Sequence, residues 1–488
     1  MFKRVLIANR GEIALRIIRT LKLLGIESVV IYSDVDKDLP FVRYAQYSEN
    51  IGEPLNYLNI DLILDIAKKY NVDAIHPGYG FLAENSNFAK AVEDSNIKFI
   101  GPNYKAIQLL GDKANAKKIA KEVNVPIPPS SGDLKDLEEI KNYIYKFGLP
   151  VLIKASAGGG GKGMKKIENF DNLDEIILSA KREALNNFSD DRIIVEKYIF
   201  PARHIEVQVI ADEYGNILIL GERECSIQRR HQKIIEEAPS PALSIEEREK
   251  LYEYARKIIK HSSYTNAGTV EFLYSNGEFY FLEVNSRIQV EHPVTEEIIG
   301  FDLIRLQIEV AQRNKLKIKQ DDIKFRGHSI EARLYAEDVL NNFFPQTGKI
   351  EHIEYPIMPN LRIDYGYISG NEITPFYDPM IAKIISYGEN REIARRRLVD
   401  GLKEIKYLGP INNLDFLIYI LESEEFINGS TFTHTVEEIL SSFRKLDRKL
   451  PEEIVSYIAS NLYSNSRIVK NEKAKINIIN YIKPKFYP

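Results

Sequence analysis

The chain has one cysteine, Cys225, in 488 residues, so no internal disulfide can form, which fits a reducing, cytoplasmic setting. It also lacks any apolar run near the roughly 20 residues needed to span a bilayer. Charge of one sign is scarce: 66 Lys and Arg stand against 70 Asp and Glu, a net charge of −4. That balance gives no general drive toward nucleic acid or an anionic membrane. The start, Met1-Phe2-Lys3-Arg4, is followed by only four apolar residues, Val5 to Ala8, before Asn9-Arg10-Gly11-Glu12. This is too short for a signal peptide and reads as a first β-strand. No internal repeat is present. A Gly-x-Gly-x-x-Gly after that strand, which would mark a dinucleotide site, is missing as well.

What is present is an ordinary globular composition, 44% hydrophobic and 28% charged, in a chain long enough for several cores. Short β-branched runs alternate with amphipathic stretches through the first hundred residues. Strands are predicted at Val5 to Ala8, Ser28 to Tyr32, Asp73 to His76 and Lys98 to Gly101, and helices at Glu12 to Leu24 and Asn59 to Tyr70. This alternation predicts a doubly wound parallel sheet. Pro126-Ile127-Pro128-Pro129 breaks the pattern as a linker. A compact unit follows, with strands near Val151 to Lys154, Met164 to Ile167 and Ile193 to Tyr198. A larger mixed region runs from about His204 to residue 445, and a more basic, Lys/Asn/Ile-rich arm ends the chain.

Three segments carry chemistry. In Lys154-Ala155-Ser156-Ala157-Gly158-Gly159-Gly160-Gly161-Lys162-Gly163-Met164, consecutive glycines leave a strand and can turn unhindered N–H groups onto phosphate oxygens, with a lysine at either edge. No Ser or Thr follows the Gly-Lys pair, so this is not a Walker A loop. A flexible linker is the bland alternative, but linkers rarely sit between two β-runs and flanking lysines.

The second segment is a hairpin around Asn276-Gly277. On its second strand Glu283, Asn285, Arg287, Gln289 and Glu291 alternate, which puts them on one face while the chain stays extended. Oxygen donors of this kind suit Mg²⁺ or Mn²⁺; a solvated polar face is the alternative. A strict two-residue turn would oppose Glu271 to Leu282 and aim Glu271 away, so shared metal binding by Glu271 and Glu283 calls for an odd-numbered or bulged turn. The third segment, Glu222 to Lys233, gathers Arg229, Arg230, His231 and Lys233, either as an anion clamp or as a solvated basic turn. Cys225 within it reads as a small packing residue.

Together these segments resemble the biotin carboxylase family of the ATP-grasp superfamily. The supporting strings are Ile7-Ala8-Asn9-Arg10-Gly11-Glu12-Ile13-Ala14, His76-Pro77-Gly78-Tyr79-Gly80-Phe81-Leu82-Ala83-Glu84-Asn85, Glu331-Ala332-Arg333-Leu334-Tyr335-Ala336-Glu337-Asp338 and Phe376-Tyr377-Asp378-Pro379-Met380-Ile381-Ala382-Lys383. The resemblance implies an α/β and α+β fold with a Rossmann-like N-terminal domain (1–112) and an ATP-grasp linker and glycine-loop lid (113–203). It also implies a catalytic core (204–330), a C-terminal domain (331–445) and an extension, read as an assembly arm (446–488). By similarity, Lys113, Lys154, Gly160 and Gly161 hold ATP phosphates. Glu196, Lys197, Ile199 and His204 line the adenine and ribose pocket, with Gln228, His231 and Lys233 nearer the ribose and phosphates. Glu271, Glu283 and Asn285 are the implied ligands of Mg²⁺ or Mn²⁺.

The implied reaction makes carboxyphosphate from bicarbonate and ATP, then carboxylates biotin. Glu291 is the expected general base, and Arg287 and Lys233 the anion-holding cations. Gln289 and Val290 are placed beside bicarbonate and biotin, and Arg333 against the enolate-like oxygen of biotin. Ion pairing of Arg333 with Glu331 or Asp338 is the alternative, as is a merely satisfied buried His204.

Three departures stand out: Ala157 for glycine, Lys162 for arginine, and a shortened Ile51 to Tyr57, read as a surface loop. No biotin-acceptor sequence or carboxyltransferase-length region is present, so the biotin carboxyl carrier protein and carboxyltransferase are expected on separate chains. A homodimer is expected, with the helix carrying Arg16 and Arg19 as candidate interface. The rivals are another ATP-grasp ligase, such as a carbamoyl-phosphate-synthetase half, and a catalytically silent assembly protein. Gln346-Thr347-Gly348 and Tyr335 to Asp338 lean toward an acyl-CoA rather than pyruvate as final acceptor.

Overall fold

The computed structural model describes residues 1–156, 164–188, 190–230 and 232–443. Gly160, Gly161, His231 and the 446–488 arm therefore lie outside the described residues.

The opening alternation folds into a five-stranded, all-parallel sheet. Its strands are β1 (Arg4–Ile7), β2 (Glu27–Ser33), β3 (Tyr47–Gly52), β4 (Ala74–His76) and β5 (Lys98–Phe99), in the order β3-β2-β1-β4-β5. Helices cover both faces, so alternate residues along the first strand enter different cores: Val5 and Ile7 pack with one cluster, Leu6 and Ala8 with another. The first helix, α1 (Gly11–Leu23), and the 60–69 helix with its Asn59 N-cap match the predicted periodicity to within a residue. Arg16 of α1 is buried on Glu296 and Asp302, whereas Arg19 remains partly exposed beside Asp364.

Strand β3 was not anticipated, and Ile51 to Tyr57 is not a plain surface loop. It closes in a 3-10 turn that buries Tyr57 completely, with its hydroxyl donating to Asp36 Oδ2 at 2.9 Å. An aromatic ring that fills the core beneath β2 cannot be a free loop residue.

A small antiparallel sheet, β6 (Val151–Ala155), β7 (Met164–Ile167) and β8 (Ile193–Lys197), lies in the order β7-β6-β8. The remaining region is built on one eight-stranded antiparallel sheet. It comprises β9 (Arg203–Ala211), β10 (Ile217–Arg229), β11 (Gln232–Ala238), β12 (Asn266–Ser275), β13 (Glu278–Asn285), β14 (His328–Tyr335), β15 (Leu361–Tyr365) and β16 (Met380–Gly388). The order is β13-β12-β9-β10-β11-β14-β16-β15, so the sheet continues past residue 330 without interruption. No helix among the described residues is long and apolar enough to cross a membrane.

Candidate active site

The site grows from one row across the large sheet. Period two along β9 puts His204, Glu206 and Gln208 on a common face. Glu206 is opposed by Arg223 of β10 on one side and by Glu271 of β12 on the other, and Glu271 is opposed in turn by Glu283 of β13. Three carboxylates and a guanidinium thus stand abreast.

The alignment of Glu271 with Glu283 is not made by the turn. Ser275 faces Glu278 across a two-residue Asn276-Gly277 turn with φ of 49° and 83°, the left-handed pair that such a hairpin requires. Further along, Phe272 faces Phe281 but Glu271 faces Glu283, so Leu282 is the extra residue of a β-bulge. The odd-numbered loop expected from the sequence is therefore absent, and the bulge does its work.

Nor does β13 stay extended to Glu291. It ends at Asn285, and the chain turns into helix α2 (His292–Ile299), with Glu291 at its N-cap position and Pro293 in its first turn. Proline favours that first turn, which stops the strand from continuing. The polar residues still converge. The Arg287 guanidinium donates to Glu84 Oε2 (3.0 Å), Gln289 Oε1 (2.8 Å) and Asn285 Oδ1 (3.2 Å).

At the centre lies Lys233. Its ammonium donates to Glu206 Oε2 (2.5 Å), Glu271 Oε1 (2.8 Å) and Glu291 Oε1 (2.8 Å), and all three carboxylates are buried. Burial alone would lower the lysine pKa, but the three acids raise it well above the ordinary value. Burial pushes the other way on Glu291, yet Lys233, Arg333 and Arg223 hold its carboxyl well below the usual range. Arg333 reaches the second oxygen of Glu291 at 2.9 Å and also pairs with Glu236. The alternative partners, Glu331 and Asp338, are not the ones it contacts. Burial lifts Glu236 to about 7 against the pull of Arg333. The backbone carbonyl of Val290 accepts from Lys383 at 2.7 Å.

A second cluster has the opposite sign. Glu196, 1% exposed, accepts from both Lys154 and Lys117. Burial pulls the Lys154 pKa down, countered by Glu196 and aided by Lys117. Lys113, one helical turn before Lys117, lies 3.4 Å from Glu283. Lys197 spends its ammonium on the carbonyls of Gly148 and Leu149 (2.9 and 3.3 Å), and Ile199 is half-buried just beyond β8. Gln228 turns its amide back to the Cys225 carbonyl at 2.7 Å and stands opposite Lys233 in the pairing of β10 with β11. Cys225 is fully buried and burial raises its thiol pKa well above the ordinary value, in keeping with packing.

The donor set fits a hard divalent cation. Glu271 and Glu283 stand opposite each other, and Asn285 lies against Glu271 through a 2.8 Å bond from its amide. Burial opposes ionisation of Glu271, but Lys233 and His204 hold it far down as a carboxylate. Its second oxygen lies 3.1 Å from His204 Nε2. All-oxygen ligation is the pattern of Mg²⁺ or Mn²⁺. His204, Glu206 and Glu271 also bring one ligand atom each within 4.8 Å of one another, but Lys233 already occupies two of them.

Glu206, Glu236 and Lys117 were not singled out from the sequence, and Arg223 and Glu84 stood in quoted segments without a role of their own. Glu206 did carry a signal, the same alternation in His204-Glu206-Gln208 that exposed Glu283 and Asn285. Glu84 and Glu236 meet the site only through space, across 203 and 97 positions from Arg287 and Arg333 (287 − 84 and 333 − 236).

Comparison with known proteins agrees with this geometry. Residues 1–107 match the family model "Biotin carboxylase, N-terminal domain", 112–319 "Carbamoyl-phosphate synthase L chain, ATP binding domain", and 331–438 "Biotin carboxylase C-terminal domain". The chain is 45% identical over 476 residues to a pyruvate carboxylase subunit of Methanothermobacter thermautotrophicus, covering 96% of this chain and 97% of that one. Biotin carboxylase 1 of Bacillus subtilis is 46% identical over 443 residues, 90% and 98% of the two chains. A solved structure, the biotin carboxylase domain dimer of Hydrogenobacter thermophilus 2-oxoglutarate carboxylase with MgADP, ADP and bicarbonate, superposes with a TM-score of 0.88 at 43% identity. It covers 91% of this chain and 99% of that one. With matches of this length and identity meeting a site of this composition, the chain belongs to the biotin carboxylase family.

Proposed function

We propose that this chain carries out the ATP-dependent carboxylation of biotin borne on a separate carrier protein, by way of carboxyphosphate. The observation that carries the reading is the contact set at Glu291: one oxygen on Lys233, the other on Arg333. A buried carboxylate gripped by two cations is a weak base. Bicarbonate entering between them takes over Lys233 and Arg333, which releases Glu291 to accept the bicarbonate proton. The freed oxygen then attacks the γ-phosphorus, the bond to ADP breaks, and Arg287 and Lys233 face the charge that develops. Arg333 is next available for the oxygen of deprotonated biotin, with Gln289 and Val290 beside it.

Lys113 and Lys154 are the described cations aimed at ATP phosphates, and Glu196, Lys197, Ile199 and His204 border the base and sugar. Glu271, Glu283 and Asn285 would hold Mg²⁺ or Mn²⁺, which neutralises phosphate charge when bound.

We further propose the division 1–112, 113–203, 204–330 and 331–445 for the described parts, the last two sharing one continuous sheet through β14, together with a homodimer and a cytoplasmic setting with carrier and carboxyltransferase on other chains. The dimer is supported by the dimeric Hydrogenobacter neighbour, with partly exposed Arg19 rather than buried Arg16 as the more accessible side chain. For the final acceptor, the sequence leans toward an acyl-CoA. The relatives matched over 476 and 468 residues, however, belong to a pyruvate carboxylase and to a 2-oxoglutarate carboxylase, which favours a 2-oxo acid.

The test is ADP release by the purified chain with Mg²⁺, with and without bicarbonate and free biotin. The expected result is slow hydrolysis that requires bicarbonate and rises with biotin. Hydrolysis indifferent to both would sink the carboxylase reading.

A further inference from the structure

Two lysines on one buried carboxylate are one more than neutrality needs. Glu196 is 1% exposed at the end of β8 and accepts from Lys154 on one oxygen and Lys117 on the other. Lys117 lies one helical turn beyond Lys113 in the 113–122 helix, so both project from the same face, Lys113 toward Glu283 and Lys117 toward Glu196. Its side chain is more deeply buried than that of Lys154, 11% against 18% exposed, and the two lysines repel through the carboxylate they share.

We propose that Lys117 is a positioning residue for the nucleotide: it keeps Glu196 neutralised so that Lys154 is free to leave for a polyphosphate. The proposal rests on the reading of Lys154 as a phosphate-binding residue.

The argument is one of charge. With Lys117 in place, Lys154 can swing from Glu196 to an incoming anion and leave behind a complete ion pair. Without it, the same swing strands a carboxylate in a dry interior, one of the costlier events available to a protein. Lys154 would then stay on Glu196, and the polyphosphate would lose a cation it needs. Lys117 itself need not touch the nucleotide, which separates it from Lys113 and Lys154. A lysine that served only to fill space would tolerate methionine, an unbranched chain of similar length.

The test measures ATP binding to the full chain, by calorimetry, and the steady-state constants for ATP. Lys117→Met is expected to weaken ATP binding about tenfold or more and raise KM to match, since it leaves Lys154 tied to a buried acid. The kcat at saturating ATP is expected to stay near wild type. Lys117→Arg is expected to restore binding, and Lys118→Ala, an exposed neighbour, to change nothing. Because the role runs through Glu196, Lys117→Met should add nothing in a Glu196→Gln background. That double variant, in which no buried carboxylate is stranded, also guards against misfolding of the single one. ATP bound by Lys117→Met as tightly as by wild type would overturn the proposal. So would an equal loss in the Glu196→Gln background, which would mean direct contact with the nucleotide. Failure of the wild-type chain to bind ATP at all would instead sink the nucleotide-site reading on which this one rests.

Discussion

The two charged clusters of the site are near mirror images. In one, a single lysine is held by three buried carboxylates; in the other, a single carboxylate is held by two lysines. The acidic cluster sits mid-sheet, where β9, β11 and β12 contribute, and the basic one lies where β6 and β8 meet the 113–122 helix. The basic cluster carries a lysine in excess, while in the acidic one Arg223 takes up Glu206 and Arg333 takes up Glu291, which leaves Glu271 as the carboxylate without a guanidinium partner among the described residues. An excess of buried carboxylate favours a divalent cation and a proton in transit, and an excess of ammonium favours a polyphosphate. On the proposed function, the two clusters together would complement a metal–nucleotide complex, and Lys113 lies on Glu283 of the β13 strand.

The comparison can be broken first at the base. Glu291→Gln keeps a hydrogen-bonding group for Lys233 but removes the proton acceptor. Bicarbonate-dependent ADP release is expected to fall about a thousandfold, while ATP binding stays within a few fold. Retained turnover would move the base elsewhere.

Removing the lone member of each cluster asks whether the asymmetry is real. Lys233→Met leaves Glu271 without its ammonium, while Glu206 keeps Arg223 and Glu291 keeps Arg333, and is expected to lower unfolding stability by about 3 kcal/mol at neutral pH. Glu196→Gln leaves two lysines, both nearer solvent, and the expected loss is about 1 kcal/mol. Equal losses in denaturant titrations would erase the distinction.

A smaller effect separates the clusters by pH. Glu236, held up to about 7 by burial, binds more protons folded than unfolded between about 4.5 and 7. Its contribution to stability is therefore complete below the unfolded value and is lost as pH rises through about 7. Wild-type protein is expected to lose stability from pH 6 to 8, and Glu236→Gln to lose on the order of 1 kcal/mol less over that range. Parallel pH profiles would argue against a shared proton at the acidic end.

The smallest change should follow deletion of Leu282. Without the bulge residue, Phe281 still precedes a residue facing Glu271, and Glu283 stays opposite it. Metal-dependent activity is expected to survive within about tenfold, since one half-buried leucine is lost and the ladder becomes regular. Complete loss would show that the bulge's local twist, and not the alignment alone, sets the carboxylate geometry.

These clusters also show what a sequence exposes and what it hides. The parallel sheet was legible because strands buried on both faces read as unbroken apolar runs, and Glu283 and Asn285 because polar residues alternate in an apolar strand. Residues that owe their importance to a partner far away in the chain were hidden. Glu236 meets Arg333 across a strand pairing, and Lys117 meets Glu196 across 79 positions. The bulge was hidden for another reason: Leu282 is an ordinary strand residue, with neither glycine nor proline to mark the irregularity. Extended structure through Glu291 failed because alternation says nothing about where a strand stops, whereas Pro293 does.

The continuity of the large sheet has a consequence for how this chain can be cut. The division at 330/331 falls inside β14, which is hydrogen-bonded to β11 on one side and to β16 on the other. A fragment ending at residue 330 would leave β11 as a bare edge lined by Glu236 and Glu237, with its amide and carbonyl groups open to any passing strand. Such a fragment is an invitation to self-association rather than a smaller enzyme. In evolutionary terms the two halves are one heritable unit: recombination at that seam would have to supply a matching strand in register, or supply nothing that folds.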